Sequence, residues 1–293
     1  MPVTPALIAE LEHRFGPLQL ARVKPFSVHF RDRRNHSLIK IYRGIDPGAR
    51  QARELDALHT APQFGCHVPR VLHHGQYRNI NWTAIAVVSG MPLSLDCPGD
   101  VPFFLNAADS LLAPLHACGT AERAGPGWHG PQSSTTSAFL ASQLSTRVRA
   151  LPTWPRLDNH FRDLDTLPIV LLHGDVKPEH VLTGSGHAML VDWEACARGP
   201  AVLDQSDATF RVLRDLAYFN RLTSGATSLL PRTRHHTIAL AWRLTLWLDR
   251  RHSVLSEDTV ALAERIARLP DAPNPIATAA SIIQDAQRMG VQF

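Results

Sequence analysis

Two short stretches hold the residues most capable of chemistry. His173–Leu182 reads HGDVKPEHVL, and Met189–Glu194, after a short polar turn, reads MLVDWE. Asp175 and Asp192 each follow an apolar run and open a polar segment. Two strands joined by a tight turn can bring such carboxylates together. One can then align or deprotonate an attacking hydroxyl, while the other holds a divalent cation on nucleotide phosphates. These are the needs of phosphoryl transfer, together with a positive charge on the phosphates. Lys40, in the alternating run HSLIKIYR (36–43), can supply that charge. Glu54, in ARQARELDALH, can hold Lys40 in place.

Basic-residue usage adds a second line. Of 30 Lys and Arg residues, only Lys24, Lys40 and Lys177 are lysine. A lysine kept against such an arginine bias marks a place for a compact ammonium rather than a planar fork. Lys40 and Lys177 fall beside the candidate chemistry. Lys24, in VKPFSVHF, reads as a surface residue.

The elements that must position these groups follow from periodicity. The start, MPVTPALIAELEHRFG, reads as a short amphipathic helix rather than a signal peptide. Residues 36–43 alternate as a strand, with Leu38, Lys40 and Tyr42 on one face and Ile39 and Ile41 on the other. A helix follows GIDPG, with Ala52, Leu55 and Leu58 on one face. HVPRVLHHGQ to WTAIAVVSG reads as strand, turn, strand, ending at Ser89-Gly90. Phe104, Ala108, Leu111, Leu112 and Leu115 then recur at helical spacing despite Pro114. Residues 119–137 read as a loop and 138–150 as a helix. Further helices are expected near 205–222, 233–250, 256–268 and 275–289. The chain is thus strand-rich up to about Gly90 and helix-rich after it.

Composition bounds the rest. A chain of 293 residues with 44% hydrophobic and 19% charged residues is long enough for a sizeable core and reads as globular. No apolar run approaches the length of a membrane helix. Net charge is +4, but the basic residues are dispersed, which argues against a nucleic-acid partner. Cys66, Cys97, Cys118 and Cys196 lack metal or disulfide spacing, so a reducing cytoplasm is expected. The pairs His73-His74 and His235-His236 lack a partner at metal spacing, and Trp242 and Trp247 read as core.

In this order the motifs resemble the aminoglycoside-phosphotransferase family of the protein-kinase-like superfamily. HGDVKPEH resembles the family's H-G-D-x-x-x-x-N loop, VDWE its metal-binding segment, and RGPAVLD its G-D-P-x-x-D-L segment, with Asp204 at the last aspartate. The resemblance implies an α+β bilobal fold, with a small antiparallel-sheet lobe (1–89) for nucleotide and a larger helical lobe (90–293) for catalysis and the acceptor. It implies that Asp175 aligns or deprotonates the acceptor, and that Asp192 binds magnesium. It also implies that Lys40, paired with Glu54, touches the phosphates of ATP or GTP. Residues 86–90, with Val87, Val88 and Ser89, would hold adenine through the backbone, and His173 would brace the loop.

Three departures stand out. His180 replaces the family's asparagine; it is either a second metal ligand or a structural hydrogen-bonding residue. No glycine-rich loop precedes Lys40; Ser27 and Lys24 are the candidate phosphate contacts there, and a surface position is the preferred reading of both. Lys177 makes DVKPE similar to the D-L-K-P-E of serine/threonine protein kinases, whose lysine reaches the γ-phosphate and the acceptor.

From residue 201 onward, 11 arginines stand against nine acids. This disfavours a polycationic aminoglycoside, whose site should be acidic. Two acceptors are expected instead: a hydroxylated natural product, or Ser/Thr of a ribosomal precursor peptide phosphorylated for a separate lyase partner. An inactive pseudokinase scaffold is the alternative. The absent glycine-rich loop and His180 favour it; retention of Lys40, Glu54, Asp175, Lys177 and Asp192 opposes it.

Overall fold

The computed structural model describes residues 3–32, 37–117, 127–128, 133–184, 187–251 and 256–291. Cys118, most of the residues 119–137 expected as a loop, and residues 185–186 lie outside them. The chain divides into two compact units. One comprises Met1–Met91 with Leu182–Cys196, the other Pro92–Val181 with Ala197–Phe293.

The first unit is built on an antiparallel sheet of β1 (Leu18–Lys24), β2 (Ser27–Asp32), β3 (Ser37–Tyr42), β4 (Val71–Tyr77) and β5 (Ile80–Ala86), in the order β1-β2-β3-β5-β4. Helix α1 (Pro5–Phe15) is capped by Thr4, whose Oγ1 accepts from the Leu7 amide at 3.3 Å. Its four-residue spacing buries Leu7, Leu11 and Phe15 against Ile39, Ile41, Ile80, Trp82 and Ala84. Burying an aliphatic or aromatic side chain is worth about 2 kcal/mol, so this stripe fixes one face of the sheet. Lys40 and Tyr42 point the other way and are also buried, so β3 is covered on both faces.

Helix α2 (Pro47–Thr60) differs from its sequence reading. Its buried side includes Arg50, Gln51, Glu54, Ala57 and Leu58, not Ala52 and Leu55. The reason is hydrogen bonding. Gln51 Nε2 donates to the carbonyls of Trp82 at 2.7 Å and Gly75 at 3.2 Å, and Glu54 meets Lys40 and Tyr42. A helical face that buries satisfied polar groups is invisible to a hydrophobic count. At the end of β5 the chain turns at Gly90, whose φ is +150°. A Cβ there would lie 3.1 Å from the Thr183 carbonyl oxygen.

The helical unit contains α3 (Asp100–Ala117), α4 (Thr136–Ser142), α5 (Thr146–Arg149), α6 (Trp154–Arg162), α7 (Val202–Tyr218), α8 (Ser224–Ser228), α9 (Arg234–Arg251), α10 (Glu257–Ala267) and α11 (Pro275–Arg288). Helix α3 buries Val101, Phe104, Ala108, Leu112 and Leu115 and carries Pro114 inside it. The helix expected over 138–150 is broken at Gln143–Ser145, because Ser145 caps α5 and Asp249 accepts from its amide and hydroxyl at 2.7 and 2.6 Å. Helices α7 and α9 form the core, with Phe210 and Trp247 ring centroids 5.6 Å apart. Trp247 is buried as expected, and Trp242 Nε1 donates to the Leu140 carbonyl at 3.2 Å.

The domain bounds need correction at one place. Residues 182–196 fall in sequence among the helical part but belong to the sheet unit. Arg53 Nε donates to the Glu194 carbonyl at 3.0 Å, and the Arg50 guanidinium pairs with the Glu194 carboxylate at 2.7 Å. These bonds tie the segment after Leu190 to α2, and with it Asp192.

Candidate active site

Within the sheet unit, the register of β3 sets Lys40 opposite His29 on β2 and Thr83 on β5. The Lys40 side chain is 5% exposed. It meets three carboxylates: Asp192 Oδ1 at 2.7 Å, Glu54 Oε2 at 2.9 Å and Glu194 Oε2 at 2.9 Å. Lys24 Nζ donates to the other oxygen of Asp192 at 2.9 Å. Tyr42 donates its hydroxyl proton to Glu54. Burial works against the charge on Lys40, but Asp192 and Glu54 outweigh it and hold its pKa well above the ordinary lysine value. Burial pushes the Glu54 carboxyl up against the pull of Lys40. His29 is lowered to about 4, by burial and then by Lys40 and Lys24, so it is neutral at pH 7. Asp192 has a left-handed backbone, φ +67°. Aspartate tolerates that conformation better than most residues, and such outliers persist where neighbours over-determine them.

Within the helical unit the arrangement is inverted. The Asp175 carboxylate is met by Arg211 at 2.7 Å, Lys177 at 3.0 Å and His180 Nδ1 at 3.6 Å. Burial alone would raise its pKa, but Arg211, His180 and Lys177 hold it well below the usual carboxylate range. Asp175 is therefore an anion at any working pH, better suited to orienting a hydroxyl than to storing its proton. Arg211 also lies 3.7 Å from Asp207, which pairs with Arg243 as well. Arg250 has no ion-pair partner among the described residues, although Asp175, Asp249 and Asp207 act on it electrostatically.

The loop that presents Asp175 is held from below by Asp204 at the start of α7. Asp204 is 1% exposed and accepts from the amides of His173 at 3.0 Å and Gly174 at 2.8 Å. His116, in the last turn of α3, lies 3.1 Å from the same carboxylate. Gly174 has φ +79°, a turn only glycine makes without strain. His173 is fully buried, and its Nδ1 accepts from the Asp175 amide at 3.4 Å. Beside the loop lies a cavity of about 710 Å³, lined by Glu179, Arg214, Asp215, Tyr218, Phe219 and Gln287, among others. Its Asp215 carboxylate is tied to Arg214.

The sequence-derived candidates therefore fall into two charge sets, Lys40–Glu54–Asp192 in one unit and Asp175–Lys177–His180 in the other. Val87, Val88 and Ser89 follow β5 directly, outside regular structure. Ser27 is 2% exposed and its hydroxyl is hydrogen-bonded to His29 Nε2 at 2.9 Å, which leaves it poorly placed for a ligand. Lys24, read as a surface residue, is instead an ion-pair partner of Asp192. The sequence reading missed Glu194, Arg50, Arg211, His116 and Asp207. Glu194 stood inside the quoted VDWE; Arg50, Arg211 and His116 lie far along the chain from the carboxylates they hold, and Asp207 stands four residues before Arg211 on the same helix.

A divalent cation on nucleotide phosphates needs few protein ligands, and hard oxygen ones. The Asp192 carboxylate fits that requirement. His180 does not fit it well: its ring is 3% exposed, offers nitrogen, and is bonded through Nδ1 to the Asp175 carbonyl at 3.0 Å. Among the described residues no three His, Cys, Asp or Glu side chains converge as a metal site of their own.

The profile of the phosphotransferase enzyme family, APH, matches residues 28–215, a span that includes Lys40, Glu54, Asp175 and Asp192. The chain belongs to this phosphotransferase family. Solved structures of such kinases share its fold. Aminoglycoside phosphotransferase APH(4)-Ia is 17% identical, covering 94% of this chain and 97% of that one, with a TM-score of 0.61. Amicoumacin kinase hAmiN, solved with AMP-PNP, Ca2+ and Ami, is 13% identical, covering 88% and 89%, with a TM-score of 0.57. A microcompartment-associated aminopropanol kinase is 14% identical, covering 98% and 99%, with a TM-score of 0.55. No curated protein sequence matches this phosphotransferase. The fold is thus the α+β, protein-kinase-like one. No helix among its described residues is long and apolar enough to cross a membrane.

Proposed function

We propose that this phosphotransferase moves the γ-phosphoryl group of ATP, with magnesium, to an alcohol hydroxyl of a natural product that is not an aminoglycoside. The observation that carries this reading is the pair of opposed charge sets. A metal-bound polyphosphate needs carboxylate oxygen for its cation and ammonium for its phosphates, which Asp192 and Lys40 supply. The acceptor needs an anionic hydrogen-bond acceptor at its hydroxyl, which Asp175 supplies. Magnesium would neutralise the charge that develops on the transferring group, held by Asp192. Glu54 and Glu194 keep the Lys40 ammonium in place. Asp204 and His173 fix the backbone on which Asp175 stands, and His180 acts as a brace rather than a ligand. Residues 87–89 are the candidate adenine-binding backbone, and GTP is the alternative donor.

The acceptor class follows from charge. Asp175 stands among Arg211, Lys177 and His180, with Arg243 and Arg250 beyond. A polycation would meet repulsion there. The adjoining cavity has two carboxylates, but Asp215 is neutralised by Arg214, leaving Glu179, itself 3.6 Å from Lys177. APH(4)-Ia has been solved in ternary complex with ADP and hygromycin B; the charges here favour a neutral or anionic acceptor instead.

A second reading rests on Lys177. Its ammonium stands 3.0 Å from Asp175, where a protein-kinase-type lysine would reach the γ-phosphate and the acceptor, and it favours Ser/Thr of a precursor peptide, with a lyase as partner. One experiment tests both readings. Wild type and Asp175→Asn are incubated with Mg-ATP or Mg-GTP and macrolides, nucleosides, aminoglycosides or Ser/Thr-rich precursor peptides, and phosphate gain is read by mass. Transfer to a non-aminoglycoside small molecule by wild type alone supports the first reading. Transfer only to peptides supports the second, and transfer only to aminoglycosides refutes both.

A further inference from the structure

We propose that Lys24 is a phosphate-binding residue, a side-chain ammonium that takes the place of glycine-rich backbone in holding the nucleotide. This rests on the nucleotide reading above and names a further residue of that site.

The turn after β1 offers phosphates less backbone than a glycine-rich loop would. Lys24 pairs with Ser27 across the two residues Pro25 and Phe26. Pro25 has no N–H to donate. The turn has no glycine, so side chains keep a ligand away from the main chain. The Ser27 hydroxyl is engaged by His29 at 2.9 Å. What this turn does present is one ammonium, 2.9 Å from Asp192 Oδ2.

That ammonium differs from its neighbour. Lys40 is 5% exposed and keeps Glu54 and Glu194 whatever happens at Asp192. Lys24 is 27% exposed, and Asp192 is its only ion-pair partner among the described residues. A carboxylate engaged with a divalent cation has less charge left for two ammoniums. Lys40 then loses one partner of three, whereas Lys24 loses its only one and needs another anion. The oxygens of a polyphosphate meet that need, and a compact ammonium on a flexible stem suits the change of partner better than a guanidinium. Lysine usage agrees. All three lysines of the chain sit within 3.0 Å of Asp192 or Asp175, in a protein that otherwise uses arginine.

The test measures binding, not turnover. Calorimetry on the full chain gives dissociation constants for Mg-ATP, Mg-ADP and adenosine with wild type, Lys24→Gln and Lys24→Arg. Lys24→Gln is expected to weaken Mg-ATP about tenfold or more, the usual cost of a charge-assisted contact, and to leave adenosine unchanged. Lys24→Arg, which keeps the charge, should fall between. Mg-ATP affinity that is unchanged or higher in Lys24→Gln would overturn the proposal, because Lys24 would then be only a counter-ion of Asp192. Equal loss of Mg-ATP and adenosine would overturn it too, since the turn would merely shape the site. Wild type that binds neither these three nor Mg-GTP would refute the nucleotide reading itself.

Discussion

The two charge sets are inversions of one another. In the sheet unit three carboxylates converge on one ammonium, Lys40; in the helical unit two cations and an imidazole converge on one carboxylate, Asp175. The first set is rich in acceptor oxygen and suits a metal-bound polyphosphate. The second is rich in donors and suits a developing anion beside a hydroxyl. Lys40 is buried and Asp175 partly so, and around each the neighbouring side chains decide the charge state. A single protein environment could not favour both.

Removing the centre of each set should therefore have different consequences. Asp175→Asn is expected to cut phosphoryl transfer about 10³-fold while Mg-ATP affinity stays within about twofold, measured by turnover and calorimetry. Loss of nucleotide binding in that variant would break the division of labour between the sets. Lys40→Met should leave Glu54 buried without its cation and cost about 4 kcal/mol of folding stability, measured by urea denaturation. A cost below about 1 kcal/mol would mean that Tyr42 and water satisfy Glu54 unaided.

Acid sensitivity sharpens the contrast. His29 in one unit and His236 in the other are both lowered to about 4. Unfolded histidine titrates near 6.5. Between these values the unfolded chain takes up a proton that the fold refuses, so stability falls as pH drops from about 6.5 to 4 and levels off below. For His236, 1% exposed, the full loss is up to about 3 kcal/mol. Burial alone lowers His236, whereas Lys40 and Lys24 add to burial at His29. His236→Gln should flatten a component of the pH–stability curve that salt does not change. His29→Gln should flatten a salt-dependent one. Denaturation midpoints at two ionic strengths check both.

Smaller effects follow further out. Asp204→Asn keeps the shape but weakens the bonds to the His173 and Gly174 amides, and is expected to lower turnover about tenfold with little change in nucleotide affinity. Arg288→Ala removes an exposed pair with Asp285 and should change stability by less than about 0.5 kcal/mol. A larger change there would show that surface pairs matter more to this fold than the two buried sets imply.

The legible part of this protein was what chemistry writes into short spans. HGDVKPEH and VDWE, with Lys40 on an alternating strand and Glu54 one helix later, were enough to name the family and the fold. Alternation placed β3, an apolar run placed β5, and helical patterning placed α1, α3, α7, α9 and α11. β1 is an edge strand whose side chains are mostly exposed, so burial imposes no alternation on it; β2 alternates Val28 and Phe30 with His29 and Arg31, a signal that the sequence reading missed.

What the tertiary structure decided were the partners. No local pattern links Arg211 to Asp175, 36 residues away, or Lys24 to Asp192, 168 residues away. The return of Leu182–Cys196 to the sheet unit and the polar buried face of α2 were equally unreadable. The physical reason is common to all of them. A motif constrains residues that must share one turn or strand, whereas a buried charge accepts any opposite charge that the fold brings within about 3 Å. The sequence by itself thus determined which carboxylates and ammoniums exist and on which elements; only the packing determined which of them meet.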